Sequence, residues 1–265
     1  MNAATESTGS GLAAMLKSIA DLISAIAWPA LVAVLLIRFR KEVAACLAAL
    51  ASRLSQAEGL ELGPVKITMK KSAELAGSIP KDPDPEDQQK AIREQTKLGK
   101  ELRAEVINDP AMLSQVRSQM DNLARQYELL RQARDAQSRM ATDTEIVQMN
   151  KVVSQMRALA LSCVPYWKDY ADSDRPGDHL AAVVIVQMSP DPKYLEWLGE
   201  RFRKDRPFVF YHAALALQNM ADQCWTEARD AIKRTTQQAL DQVKAFRGQP
   251  DAKTVQILEA ILART

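Results

Sequence analysis

The sequence has few of the residues that mark catalytic or metal-binding sites. Two histidines and three cysteines occur in 265 residues, and no cysteine pair has the CxxC spacing of a zinc or redox site. Metalloprotease, phosphate-loop, dinucleotide-binding and serine-hydrolase motifs are all missing. We therefore expect no catalytic residues, no metal and no cofactor. Widely spaced cysteines that are odd in number also favour a reducing compartment.

The sequence also lacks an excess of charge of either sign. The 35 Lys and Arg residues are interleaved with 33 Asp and Glu residues, which gives a net charge of +2. Nucleic-acid binders concentrate basic side chains in a stripe, so nucleic acid is not an expected partner. Glycine is scarce, with nine residues, while alanine, leucine, glutamine and arginine are abundant. This composition predicts a mainly α protein.

One long apolar run is present near the N-terminus. Residues 22–37 (LISAIAWPALVAVLLI) carry no charge, and nine of them are Leu, Ile or Val. A helix on a protein surface would show a polar residue every third or fourth position, but only Ser24 is polar. A span needs about 20 residues, which flanking turns can complete. We predict a transmembrane helix that contacts membrane lipid through Leu22, Ile23, Ile26, Trp28, Pro29, Val32, Leu35, Leu36 and Ile37.

Basic residues follow this run rather than precede it. Lys17 precedes it, whereas Arg38, Arg40, Lys41 and Arg53 follow it. A cleaved signal peptide has the opposite arrangement, and the positive-inside rule places the basic side in the cytoplasm. The pattern predicts a single-pass protein of a bacterial inner membrane, with its N-terminus outside and its C-terminal part cytoplasmic.

The first third of the chain divides by composition. Residues 1–18 are predicted to be a short outside tail, and residues 19–58 the anchor helix with a cytoplasmic extension. Residues 59–76 alternate apolar and polar side chains, which predicts a short β-hairpin-like segment. Residues 77–90 contain three prolines among acidic residues, which predicts a linker and a domain boundary.

A pair of helices is predicted within residues 91–164. Asp109-Pro110 is a good N-cap and N1 pair. Apolar residues then recur at steps of three and four in two stripes: Leu113, Val116, Met120, Leu123, Tyr127 and Leu130, then Ile146, Met149, Val153, Met156 and Ala160. The stripes fit either an antiparallel hairpin inside a helical bundle or a coiled coil between subunits.

An Asp-Arg-Pro helix start occurs twice, at Asp174 and, 31 residues later, at Asp205. Between them, Asp191-Pro192 predicts the start of another helix. The period lies in the range of stacked helical arrays. Residues 165–262 resemble HEAT-like α-helical repeats, which implies stacked helix pairs over residues 165–265 but no particular ligand. The stretch YLEWLGERFRKDRPFVFYHAALAL also resembles a helical module of bacterial membrane-anchored and conflict-system proteins.

Ten of the fourteen aromatic residues lie between Tyr166 and Trp225. Aromatic residues at helical spacing usually belong to the core. The alternative is a protein-binding surface, because tyrosine and tryptophan beside arginine are typical of interface hot spots. Its residues would be Tyr166, Trp167, Tyr170, Trp197 and Tyr211. His212 is expected to be a hydrogen-bonded core imidazole.

These features favour a membrane-anchored cytoplasmic adaptor, scaffold or signalling module. It would act without catalysis, by binding protein partners that the sequence does not identify and by forming homo-oligomers. The alternative is an effector of a bacterial defence or stress system, in which clustering of the anchor helices perturbs the membrane. An effector would depolarise cells on induced expression, whereas a scaffold would not.

Overall fold

The computed structural model describes residues 63–78, 85–136, 143–247 and 252–265, and these ranges contain no strand. The α-helices are α1 (Pro64–Ser78), α2 (Pro85–Val106), α3 (Pro110–Ala136), α4 (Asp143–Cys163), α5 (Trp167–Ala171), α6 (Pro176–Met188), α7 (Leu195–Lys204), α8 (Pro207–Ala245) and α9 (Ala252–Leu262). Short 3-10 helices at Val164–Tyr166 and Pro192–Tyr194 precede α5 and α7. The predicted anchor and topology residues lie outside the described ranges.

Proline begins many of the helices, because its fixed φ suits the first helical position, where no N–H is required. Both Asp-Arg-Pro sequences are helix starts, as predicted, with Pro176 first in α6 and Pro207 first in α8. The N-cap prediction for Asp109 is also confirmed. Its Oδ1 accepts the backbone N–H groups of Ala111 at 2.9 Å and Met112 at 3.1 Å.

The β prediction for residues 59–76 is wrong, since residues 64–76 lie in α1; residues 59–62 fall outside the described part of the chain. The buried positions of α1 are Val65, Thr68 and Ser72, at helical spacing. Two of these are polar, while the apolar Ile67 is 42% exposed. Apolar residues therefore alternate along the sequence although they do not mark the buried face.

The linker prediction for residues 77–90 is wrong at both ends. Helix α1 continues to Ser78 and α2 begins at Pro85. Residues 62–265 form one compact unit, and a single apolar core extends through it from Val65 to Ile261. The predicted boundaries at 77–90 and at 164/165 therefore do not separate independently packed domains.

Helix α4 is central in the first part of this unit. It packs on α1, α2, α3 and α6, and α8 packs in turn on α6, α7 and α9. Every residue of α6 from Leu180 to Met188 is buried, and only Pro176 and His179 near its start are partly exposed. A helix buried on all sides lies at the centre of a core.

 Helix α6 is such a helix over residues 180–188, so this chain does contain a mostly apolar helix enclosed by protein.

The two predicted apolar stripes lie inside or against this core, except for Ile146, which is 36% exposed. Val116, Met120 and Tyr127 of α3 are fully or almost fully buried, as are Val153 and Met156 of α4. The two helices are antiparallel, because Arg117 and Asp121 near the start of α3 bond to Asp169 and Tyr170, which follow the end of α4. The bundle alternative is thus confirmed. These stripes are not available for an intersubunit coiled coil.

Helices α3 and α6 approach each other most closely at Gly177. A Cβ atom there would lie 2.2 Å from the backbone oxygen of Ala124. The backbone N–H of Gly177 also donates to Glu128 Oε1 at 3.1 Å. Glycine is therefore required for this helix contact.

The Gly177→Ala change is expected to destabilise the chain by about 3 kcal/mol, because the clash involves backbone rather than a flexible side chain. The matched control is Gly77→Ala near the end of α1, where an added Cβ meets nothing within 4 Å. Urea unfolding followed by circular dichroism measures both. Equal stability of the two variants would contradict the close contact.

Candidate functional site

Three of the predicted surface residues, Tyr166, Trp167 and Trp197, form one half-buried cluster, which we call the aromatic surface. The 3-10 turn after α4 ends at Tyr166, and Trp167, the first residue of α5, packs against Trp197 of α7. The Trp167 ring centroid lies 5.4 Å from that of Trp197 and 4.3 Å from that of Tyr194. The indole Nε1 of Trp197 donates to the backbone oxygen of Ala171 at 3.2 Å.

Two guanidinium groups stack on this cluster. Arg117 lies 4.7 Å from the Tyr166 ring centroid and donates to Asp169 Oδ2 at 2.8 Å. Arg201 lies 4.4 Å from the Trp197 ring centroid. Such cation–π contacts orient both partners. The aromatic surface therefore combines aromatic rings with one accessible cation, Arg117, because Arg201 is buried.

Arg201 also connects the aromatic surface to the helix starts. Its Nη1 donates to Asp205 Oδ2 at 3.2 Å, and Asp205 Oδ1 lies 3.1 Å from His179 Nδ1. The other ring nitrogen of His179 lies 2.6 Å from the backbone oxygen of Ser173. These bonds join α7 to the starts of α6 and α8. They hold the backbone behind Trp197 in place.

The other two predicted surface residues lie elsewhere. Tyr170 is buried, and its hydroxyl donates to Asp121 Oδ1 at 2.9 Å. Burial raises the pKa of Tyr170 above its ordinary value, and Cys163 and Asp121 add to the shift. Tyr211 is half-buried on α8, next to His212. The prediction of a surface is thus wrong for Tyr170, and Tyr211 belongs to a different region.

That region is a buried polar cluster around Arg157, which we call the polar centre. Arg157 of α4 is 2% exposed. Its Nε donates to Gln187 Oε1 of α6 at 2.9 Å, and its Nη1 lies 3.4 Å from Gln95 Oε1 of α2. Its Nη2 lies 3.4 Å from Nδ1 of His212 on α8. One side chain thereby contacts three other helices.

Further hydrogen bonds extend the polar centre to α1. Gln95 Nε2 donates to Ser154 Oγ at 2.6 Å, and Ser154 Oγ lies 3.2 Å from Ser72 Oγ. Asn219 Nδ2 of α8 donates to the backbone oxygen of Gln187 at 2.8 Å. The polar centre therefore crosses the whole width of the bundle.

Among the described residues, the charge of Arg157 has no opposite charge beside it, since its hydrogen-bond partners there are neutral. Burial lowers the pKa of Arg157 to about 10, so the guanidinium stays charged near neutral pH. Burial, and secondarily Arg157, holds the pKa of His212 well below 6.5. His212 is therefore a neutral imidazole. Since Nδ1 faces a guanidinium donor, its proton belongs on Nε2.

Sequence reasoning missed the polar centre, although it placed His212 in the core correctly. Arg157 and Gln187 interrupt apolar stretches of α4 and α6, which was the available signal. His212 is less well satisfied than expected. Its Nε2, like Gln187 Nε2, has no hydrogen-bond partner in the described part of the structure.

Two negative findings apply to the described ranges alone. Within them, no helix combines the length and the apolar character that a bilayer span requires. No group of three or more His, Cys, Asp or Glu side chains is arranged there to hold a metal ion.

Comparison with known proteins identifies no relative. The sequence matches no protein-family model, and no similar curated protein or solved structure was found. Fold and site together define a mainly α-helical bundle with a buried polar centre and an aromatic surface. The HEAT-like resemblance of residues 165–262 stays a prediction.

His212 should make stability depend on pH. Its folded pKa is depressed, so below pH 6.5 the unfolded chain binds a proton that the folded chain does not. The contribution of His212 to the free energy of unfolding is fully present above pH 6.5 and is lost below it. The loss should be about 2 kcal/mol between pH 7.5 and 5. Urea unfolding at several pH values measures this loss.

The His212→Asn variant should not show this pH-dependent loss of stability, because the amide oxygen can still accept from Arg157 but does not titrate. The matched control, His179→Asn, replaces the chain's other histidine and should still show it. The same pH dependence in wild type and His212→Asn would contradict the assignment.

Proposed function

We propose that this protein is a membrane-anchored helical adaptor that binds a partner protein through its aromatic surface. The apolar run at residues 22–37 would span a bacterial inner membrane, and the helical unit at 62–265 would lie in the cytoplasm. Anchoring confines the bundle to the membrane surface, which raises its effective concentration toward partners there. Self-association would raise it further.

The observation that carries the proposal is the half-buried cluster of Tyr166, Trp167 and Trp197. Arginine is stacked on the first and last of these rings. Tryptophan, tyrosine and arginine are the residues most enriched in binding hot spots. Because their positions are fixed before binding, little conformational entropy is lost on contact.

The charged residues around the aromatic surface indicate what kind of partner would fit it. Arg117, Lys168 and Lys193 surround the aromatic surface, with Asp169 and Asp191 between them. Each of the acids already bonds one of these cations: Arg117 to Asp169 and Lys193 to Asp191. A surface of mixed charge suits a protein segment with an apolar anchor residue and a polar rim.

Photo-crosslinking in cells tests this binding directly. A photoreactive amino acid replaces Lys168, which is exposed beside Trp167. Membranes are then collected by ultracentrifugation without detergent. We expect an adduct of discrete mass in the membrane fraction, and we expect Trp167→Ala to reduce its yield at least about tenfold, the effect of losing one hot-spot side chain. An adduct of twice the chain mass identifies a second copy as the partner.

The matched control places the same photoreactive residue at Gln256, which is exposed on α9. This position should give no such adduct. Equal adducts from both positions, or none from Lys168, would contradict binding at the aromatic surface. Recovery of the whole chain in the aqueous supernatant would contradict the anchor.

A further inference from the structure

The polar centre has a surplus of positive charge that the described chain does not balance. Arg157 is 2% exposed, and its partners Gln95, Gln187 and His212 are uncharged. An isolated buried ion is strongly destabilising, whereas a buried ion beside its counter-ion is tolerated. A negative charge next to Arg157 would remove most of this penalty.

The groups left unpaired at the polar centre are hydrogen-bond donors. Gln187 uses its oxygen to accept from Arg157, which leaves its Nε2 amide without a partner. His212 uses Nδ1 as acceptor, which leaves its Nε2 proton unpaired. Both groups are buried. The free amide of Gln187 lies next to Arg157, because its oxygen accepts from that guanidinium, whereas the Nε2 proton of His212 points away from Arg157. Positive charge beside unpaired donors is the environment of an anion site.

The same features restrict the size and charge of the anion. One guanidinium balances one negative charge, and a neutral His212 adds none. Arg157, Gln187 and His212 are each at most 2% exposed, so a ligand as large as a nucleotide would have to displace core side chains to reach them. A small monovalent inorganic ion satisfies both conditions.

We expect an anion to enter between α2 and α8. The two helices are bridged there by a hydrogen bond of 2.8 Å from Gln89 Nε2 to Gln218 Oε1, and both residues are half-buried. Half-buried Tyr211 lies on the same part of α8. Exchange of one polar bridge for water is a smaller step than opening an apolar helix contact.

We infer that the polar centre binds a small monovalent anion of the halide class, held by the guanidinium of Arg157 and the free Nε2 amide group of Gln187. Chloride is the probe. The anion would join α4 to α6 and would hold the bundle in one arrangement.

The test is thermal unfolding of the full chain in detergent, with sodium chloride exchanged for sodium gluconate at constant ionic strength. Chloride should raise Tm in a saturable way, by about 3 °C at tenfold above its dissociation constant. The Arg157→Met variant should lose the response. The control variant Arg229→Met, which removes an arginine 5.7 Å from the Trp225 ring centroid, should keep it.

A second measurement covers the case in which Arg157→Met does not fold. Crystals of the unaltered chain grown in sodium bromide should show an anomalous peak in contact with the Arg157 guanidinium. Bromide only at exposed arginines would overturn the inference. So would a Tm that is the same in chloride and gluconate.

Discussion

The buried guanidinium of Arg157 is the interaction on which the arrangement of the central helices depends. Its three nitrogens point to Gln95, Gln187 and His212, and these belong to three different helices. Apolar side chains pack in many alternative registers, but a planar group with fixed donor directions fits one. The charge thus favours one packing of the helices over others that would bury a similar apolar area.

The aromatic surface depends on this core through α6. Helix α6 carries Gln187 of the polar centre near its end and His179 at its start, where His179 meets Asp205. Asp205 in turn holds Arg201, which stacks on Trp197. Polar contacts therefore fix α6 at both ends. The proposed binding surface is an exposed edge of a preorganised bundle.

The sequence predicted helix starts well, because proline and an N-cap carboxylate act within one turn. Asp109-Pro110 and both Asp-Arg-Pro sequences begin helices at the predicted positions. The sequence-based prediction of a β segment failed at α1, where Thr68 and Ser72 occupy the buried face of a helix. A hydroxyl in the core is paired by a residue distant in sequence, here Ser154 for Ser72, and periodicity cannot detect that partner.

For the same reason, sequence analysis did not detect most residues of the candidate site. Trp167 and Trp197 were two of the five residues of the alternative binding surface, because residue type alone suggests a hot spot. Arg157 and Gln187 each resemble a solvent-facing position in an otherwise apolar helix, and only tertiary packing encloses them. Helix α6 also shows that this chain can enclose a mostly apolar helix, since every residue from Leu180 to Met188 is buried, so the lack of a polar face at 22–37 does not by itself indicate lipid.

A double-mutant cycle on Arg157 and Gln187 tests the central interaction most directly. The free energy of unfolding is measured for the unaltered chain, Arg157→Met, Gln187→Leu and the double variant. A charged hydrogen bond at 2.9 Å predicts a coupling energy of about 1.5–3 kcal/mol. Additive effects of the two changes would contradict the claim that this guanidinium organises the bundle.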